Sequence, residues 1–199
     1  MLVKLDVTKI NKFECPMPIE IFRKLYRQRA LQYEDAQLLC TIIKKLRPLD
    51  ILELGTFIGL SAKVMNMALR ENGYGNIISV DLWSQGEMFA GPGSPKMGQV
   101  FTPEDLKNIS LVTSDEIEYL ESLPAQCFDM IFEDTNHAAR MLMKAVPLIE
   151  RALRPGGIAL FHNSDWESVR MGMDLADVSD RIIDLSKYSN AKILMLRKE

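Results

Sequence analysis

Apolar positions along the chain fall into two rhythms. Short continuous runs, "DILEL" (50–54), "IISVDL" (77–82), "ISLVTS" (109–114), "FDMIFED" (128–134) and "IALFHN" (158–163), have the length and make-up of buried strands. Between them lie stretches with apolar residues at helical spacing. In 34–47, Leu38, Leu39, Ile42, Ile43 and Leu46 recur in this way, and Pro48 stops the helix. Further helices are predicted over 18–30, 58–71, 115–123, 137–153 and 166–177. Asp115 followed by Glu118 resembles a capping box for 115–123, Pro147 predicts a kink in 137–153, and "PGG" (155–157) reads as a turn. "RIIDLS" (181–186) and "AKILMLRK" (191–198) close the chain as two strands on a short loop, hence antiparallel neighbours.

This alternation predicts an α/β fold: one doubly wound, Rossmann-like domain over 1–199. The sheet is expected to have seven strands, mostly parallel, with an antiparallel C-terminal strand and helices on both faces. Residues 1–32 read as an N-terminal helical extension. One segment breaks the rhythm. "WSQGEMFAGPGSPKMGQVFT" (83–102) has no period, and so long a loop in a compact domain is usually functional. Thr102-Pro103 then reads as an N-cap followed by proline at the first helical position. In such sheets ligands bind beyond the carboxyl ends of the strands, which points to 55–59, 81–83, 114–115, 134–137 and 162–165.

Composition narrows the picture. A chain of 199 residues, 47% hydrophobic, can bury one sizeable core. A net charge of -3 with dispersed Lys and Arg leaves no footprint for nucleic acid. No apolar run approaches the ~20 residues of a membrane span, and the first residues lack a signal-peptide core. The expectation is a cytoplasmic protein. Three cysteines, Cys15, Cys40 and Cys127, show neither a CxxC pair nor metal spacing, and suit a reducing compartment and structural roles.

The stretch "ILELGTFIGLSA" (51–62) leads from a strand through Gly55 and Gly59 into a helix. A phosphate loop needs GxxxxGK[ST], but no lysine comes before Lys63. A dinucleotide fingerprint needs a middle glycine where Thr56, Phe57 and Ile58 stand, so a dinucleotide is disfavoured. S-adenosylmethionine (SAM) carries no phosphate and needs less clearance. Asp81, ending the second strand, can accept from both hydroxyls of a ribose, and Asp115 from an adenine amino group.

With "LELGTFIGLSA", "ISVDLW" and "FDMIFEDTNHAARMLMKAVPLIERALRPGGIALFHN", the chain resembles the class I SAM-dependent methyltransferases over about 35–199. The nearer likeness is to small-molecule O-methyltransferases of the catechol O-methyltransferase type. That resemblance implies roles. Gly55, Thr56 and Gly59 would line the methionine end, with Glu53 supporting the turn and Ser61 at the methionine carboxylate. Asp81 would hold the ribose, Leu82 or Trp83 would flank the adenine, and Ser114 and Asp115 would reach its edge. Asp134 would face the methyl group, and His137 stands where relatives carry a basic group near the acceptor.

An acceptor hydroxyl must lose a proton, and imidazole with an ordinary pKa near 6.5 suits a general base. Metal-dependent relatives have Asp-Asn after the fifth strand, where this chain has His162-Asn163. Asp134, His162 and Asn163 then form either a divalent-metal site or a metal-free acceptor pocket, and histidine favours Mn, Zn or Fe over Mg. Both histidines of the chain fall at strand ends. Residues 1–30 and 83–102 are expected to shape the pocket for a small-molecule hydroxyl acceptor, with Trp83, Met88, Phe89, Met97 and Trp166 as apolar lining. A homodimer through the N-terminal helices fits the pattern. An NAD-type oxidoreductase and a non-catalytic SAM-binding module are the competing readings.

Overall fold

A computed structural model describes residues 5–10, 12–26, 31–82 and 95–199. In chain order the elements are α1 (Ile19–Leu25), α2 (Tyr33–Leu46), β1 (Asp50–Leu54), α3 (Leu60–Asn72), β2 (Asn76–Asp81), β3 (Ile109–Thr113) and α4 (Glu116–Ser122). There follow β4 (Phe128–Glu133), α5 (Ala139–Ala152), β5 (Leu153–His162), α6 (Glu167–Leu175), β6 (Ile183–Asp184) and β7 (Ile193–Arg197). The seven strands form one sheet in the order β3-β2-β1-β4-β5-β7-β6. β1 to β5 run parallel, and β7 is antiparallel to both β5 and β6. This is the architecture the hydrophobic rhythm predicts.

Strand alternation decides which helices cover which face. Ile51, Met130, Phe132, Ile158 and Leu160 point to the side covered by α2, α3 and the N-terminal segment. Leu52, Leu54, Ile131, Ala159 and Phe161 point to the side covered by α4, α5 and α6. Both faces are closed, so the central strands read as continuous apolar runs. The strand order reverses between β1 and β4, which opens a crevice at their carboxyl ends.

Several boundaries differ from expectation for local reasons. β5 begins at Leu153, because "PGG" forms a bulge within the strand rather than a turn before it, and its register against β4 shifts between Phe128 and Met130. α5 starts two residues later than predicted: His137 has φ +59, outside helical space, and Asn136 Oδ1 accepts from Ala138 N. The helix then continues through Pro147. β6 shrinks to two residues, since Asp184 turns its carboxylate to Ser186 N and ends the pairing. After Thr102-Pro103 there is only a short 3-10 turn, Asp105–Lys107. Thr102 and Asp105 exchange side-chain and backbone bonds there, and Asp105 pairs with Lys63 of α3. That anchor docks the end of the 83–102 loop on the β1–α3 turn: Gly98 N donates to Phe57 O and Val100 N to Ile58 O. Residues 83–94 lie outside the described residues, as do 27–30 at the end of the first predicted helix.

Candidate functional site

A cavity of about 800 Å³ opens at the carboxyl ends of β1, β2, β4 and β5, a size typical of ligand clefts. Its first wall is the β1–α3 turn. Gly55 has φ +93, and a Cβ there would stand 2.1 Å from the carbonyl oxygen of Asp134, so only glycine lets β1 and β4 close at this point. Gly59, at φ +86, is the N-cap of α3, and a Cβ on it would meet the Phe101 ring at 2.4 Å. Asp81 crosses from β2 and accepts from the N–H groups of Thr56 and Phe57, each at 2.9 Å through Oδ2. The turn is therefore held from below by a carboxylate.

A second support lies deeper. Glu53 and Ser79 are register partners on β1 and β2. Both are fully buried, and Ser79 Oγ donates to Glu53 and lies 2.7 Å from Thr56 Oγ1. Burial pushes the Glu53 carboxyl up to about 8, against the pull of the Ser61 and Ser79 hydroxyls. At neutral pH it is mostly an uncharged acid, a post beneath the turn rather than a charge in the cavity.

The opposite wall is ionic. Asp134, just past β4, accepts from His162 Nδ1 at 2.8 Å. His162 Nε2 in turn lies 3.1 Å from Asp35 Oδ2, and Asp35 Oδ1 accepts from Lys192 N at 2.7 Å. His137 Nε2 is 3.3 Å from the same Asp134 oxygen, out of line for a hydrogen bond and without another partner among the described residues. The exposed Trp166 ring stands 5.2 Å from the His137 ring. Burial alone would lower the pKa of His162, but the two carboxylates raise it to about 10, which makes it a fixed imidazolium. Burial also opposes ionisation of Asp134, yet the histidines win and hold it below the usual carboxylate range. His137 ends above its ordinary value, because Asp134 and Glu133 outweigh its burial.

Of the residues expected from the sequence, Gly55, Thr56, Ser61, Asp81, Leu82, Ser114 and Asp115 line this one cavity together with Asp134, His137, His162 and Asn163. Glu53 and Gly59 sit behind the wall. Trp83, Met88 and Phe89 lie outside the described residues. Trp166 lines the cavity, whereas Met97 is buried away from it, against the expectation for an acceptor pocket. Asp115 caps α4, with Oδ1 accepting from Ile117 N and Glu118 N.

Two features were not expected. Asp35 is 1% exposed, yet it stands in the first turn of α2 in line with Leu38, Leu39 and Ile42. A carboxylate on an apolar face was the signal that could have found it. Glu116 lines the cavity and shares the Thr135 hydroxyl with buried Glu133. Nothing local in the sequence marks that link.

A metal site can be tested against these atoms. The donors of Asp134, His137 and His162 all lie within 4.8 Å of one another, and Asp35 holds the far nitrogen of His162 as outer carboxylates do in metal centres. His137 thus joins the group in which Asn163 was expected. Two imidazoles and one carboxylate fit Zn, Fe or Mn better than Mg.

A model of the family described as a methyltransferase domain matches residues 52–164, more than half of the chain. Among solved structures, a provisionally assigned O-methyltransferase from Klebsiella pneumoniae superposes with TM-score 0.64 at 19% identity, covering 90% of this chain and 87% of that one. A Podospora anserina methyltransferase bound to S-adenosylhomocysteine (SAH) gives 0.61 at 18%, covering 90% and 85%. The O-methyltransferase TomG from Streptomyces achromogenes, in complex with SAM, gives 0.58 at 18%, covering 90% of both chains. At such identities the likeness speaks for the fold. No curated protein matches.

Proposed function

The chain belongs to the methyltransferase-domain family and has the class I SAM-dependent fold, and from that premise we propose that it transfers a methyl group from SAM to a hydroxyl of a small molecule. One observation carries the reading: the glycine turn with Asp81 and the Asp134–His137–His162 cluster face each other across one cavity. When bound, SAM supplies an electrophilic methyl carbon on a sulfonium. Gly55 and Thr56 hold the methionine end, Asp81 the ribose, and Ser114 with Asp115 the adenine edge. Asp115 uses Oδ1 as a cap, which leaves its other oxygen to accept from the adenine.

The same turn argues against a dinucleotide. Pyrophosphate needs the backbone donors of the turn as well as those of the helix entrance, and two of the turn's, the N–H groups of Thr56 and Phe57, are given to Asp81. A diphosphate would meet a carboxylate there.

At the other wall His137 is the base. Its Nε2 faces Asp134, which leaves Nδ1 to take the acceptor proton while the oxygen–methyl bond forms and the sulfur–methyl bond breaks. The Asp134 carboxylate stabilises the imidazolium that results, and His162 keeps that carboxylate in place. Holding acceptor and methyl carbon in line is worth several kcal/mol. Trp166 offers an apolar surface beside His137 for the acceptor.

The convergence of three donors supports a second reading. With the His162 proton displaced, Asp134, His137 and His162 would hold a divalent ion, which would acidify the acceptor hydroxyl and make His137 a ligand instead of a base.

Calorimetric titration with SAM and with NAD⁺, each with EDTA or added Zn²⁺ or Mn²⁺, tests both. SAM binding without NAD⁺ binding is expected. Methyl transfer to a panel of hydroxyl acceptors that survives EDTA supports His137 as base, and transfer restored only by metal supports the second reading. No SAM binding under any condition sinks the proposal.

A further inference from the structure

Cys15 and Cys40 take no part in the chemistry above, yet their sulfurs lie 3.6 Å apart, in contact, as free thiols. Cys15 is half-buried in a segment laid along α2. Glu14 N donates to Thr41 Oγ1 at 2.8 Å on one side of Cys15, and the Tyr33 hydroxyl donates to Met17 O at 3.1 Å on the other, which fixes the segment at both ends. Cys40 is fully buried in α2, with its sulfur also 3.3 Å from Val64 O of α3. The two thiols are unequal. The sulfur contact with Cys40 holds the Cys15 thiol below its usual range, while the same contact and burial push Cys40 well up. A more accessible, acidified thiol beside a buried second one is the arrangement of an oxidisable cysteine and its resolving partner.

We propose that Cys15 and Cys40 are a reversible redox-modification site, oxidised by hydroperoxides, whose disulfide ties the N-terminal segment to α2. The Cys15 thiolate attacks one peroxide oxygen. The O–O bond breaks, the other oxygen leaves and takes a proton as water or alcohol, and Cys15 becomes a sulfenic acid. Cys40 then gives up its proton, its sulfur bonds to Cys15, and the S–O bond breaks to release water. A dithiol reverses the closure by exchange.

The closed loop contains α1, the cavity-wall residues Leu31 and Gln32, and Asp35. Oxidation therefore restrains the wall next to His162 and leaves the glycine turn outside the loop. The inference stands whether or not the chain methylates a hydroxyl.

The test uses the purified full chain. It is treated with one equivalent of hydrogen peroxide, quenched with catalase, unfolded, alkylated with iodoacetamide and mapped by mass spectrometry. Expected are a linked Cys15–Cys40 peptide, an alkylated Cys127, reversal by dithiothreitol, and a melting temperature higher by roughly 5–10 °C in the oxidised form. The Cys40→Ser variant should leave a sulfenic acid at Cys15 that dimedone traps. Three alkylated cysteines after peroxide, a linkage through Cys127, or Cys15 overoxidised without linkage would each overturn the proposal.

Discussion

At the β1–β2 end the cavity wall is mostly backbone, a turn whose shape Gly55 permits and whose N–H groups Asp81 holds. At the β4–β5 end it is side chain, with Asp35 from α2, Asp134 and His137 from the β4–α5 connection and His162 from the end of β5. A backbone wall fails when the chain can no longer pass through the required conformation. A side-chain wall fails one charge at a time and in a pH-dependent way. The first suits an invariant task, gripping the same cofactor, and the second suits a site where a proton must move.

The largest effect should come from breaking the backbone wall. Gly55→Ala puts a methyl 2.1 Å from a carbonyl oxygen at φ +93, so neither strain nor space can be relieved cheaply. A cost of roughly 3 kcal/mol or more and loss of measurable SAM binding are expected. Gly156→Ala is the control. It has φ +80 with nothing near its Cβ, so only about 1 kcal/mol and unchanged SAM affinity should follow. Thermal melts and calorimetry on both variants separate clash from strain, and normal SAM binding in Gly55→Ala would remove the turn from the site.

This contrast also explains what the sequence discloses. Gly55 and Gly59 sit in one local pattern after β1, because backbone shape is written in neighbouring residues, and Asp81 is marked by its place at the end of β2. The sheet is legible for the same reason, since both faces of β1 to β5 are apolar. The ionic wall is not local. His162 meets Asp35 across 127 positions, and Asp35 meets Lys192 across 157. Strand-end placement flags His137 and His162 as candidates, but no spacing rule discloses their partners. The boundary errors have the same origin: the bulge at "PGG" and the late start of α5 depend on contacts with β4 and on the left-handed backbone of His137.

On the ionic wall the proposed base, His137, should matter most. His137→Ala is expected to lower kcat by about 10²–10⁴-fold, with SAM affinity unchanged within about threefold because the turn is untouched. The wild-type rate should rise with pH through a midpoint above 6.5, since His137 must be neutral to accept a proton and its pKa is raised. Loss of SAM affinity in the variant, or a rate that falls across that range, would assign His137 another role.

Asp35→Asn probes the support behind it. His162 titrates near 10 in the fold and near 6.5 when unfolded, so its stabilisation is complete below 6.5 and is lost as pH rises to about 10. Glu53, raised from 4.5 to about 8, adds a second decline between those values, because the fold favours its neutral form. Melting temperature should therefore fall from pH 6 to pH 10. The variant should sit about 3 kcal/mol below wild type near pH 7, and the gap should narrow toward pH 10. A gap independent of pH would mean that Asp35 acts only as a packing group.

The smallest effect tests whether charge has been removed where the two walls meet. Thr135 Oγ1 lies 2.9 Å from Glu116 Oε2 and also bonds Glu133 Oε1. A hydroxyl has one proton, so one of the two carboxyls must be the donor and hence neutral. Burial and the neighbouring Glu133 push Glu116 to about 7 from 4.5. The fold then favours neutral Glu116, and that contribution is present below 4.5, declines as pH rises to 7 and stays lost above. Glu116→Gln keeps the shape, an acceptor and a donor but cannot ionise. Relative to wild type it should be near neutral at pH 5 and more stable by about 1 kcal/mol at pH 8. Equal offsets at both pH values would show that Glu116 is an ordinary carboxylate, and that charge at this end of the cavity is not confined to the histidine wall.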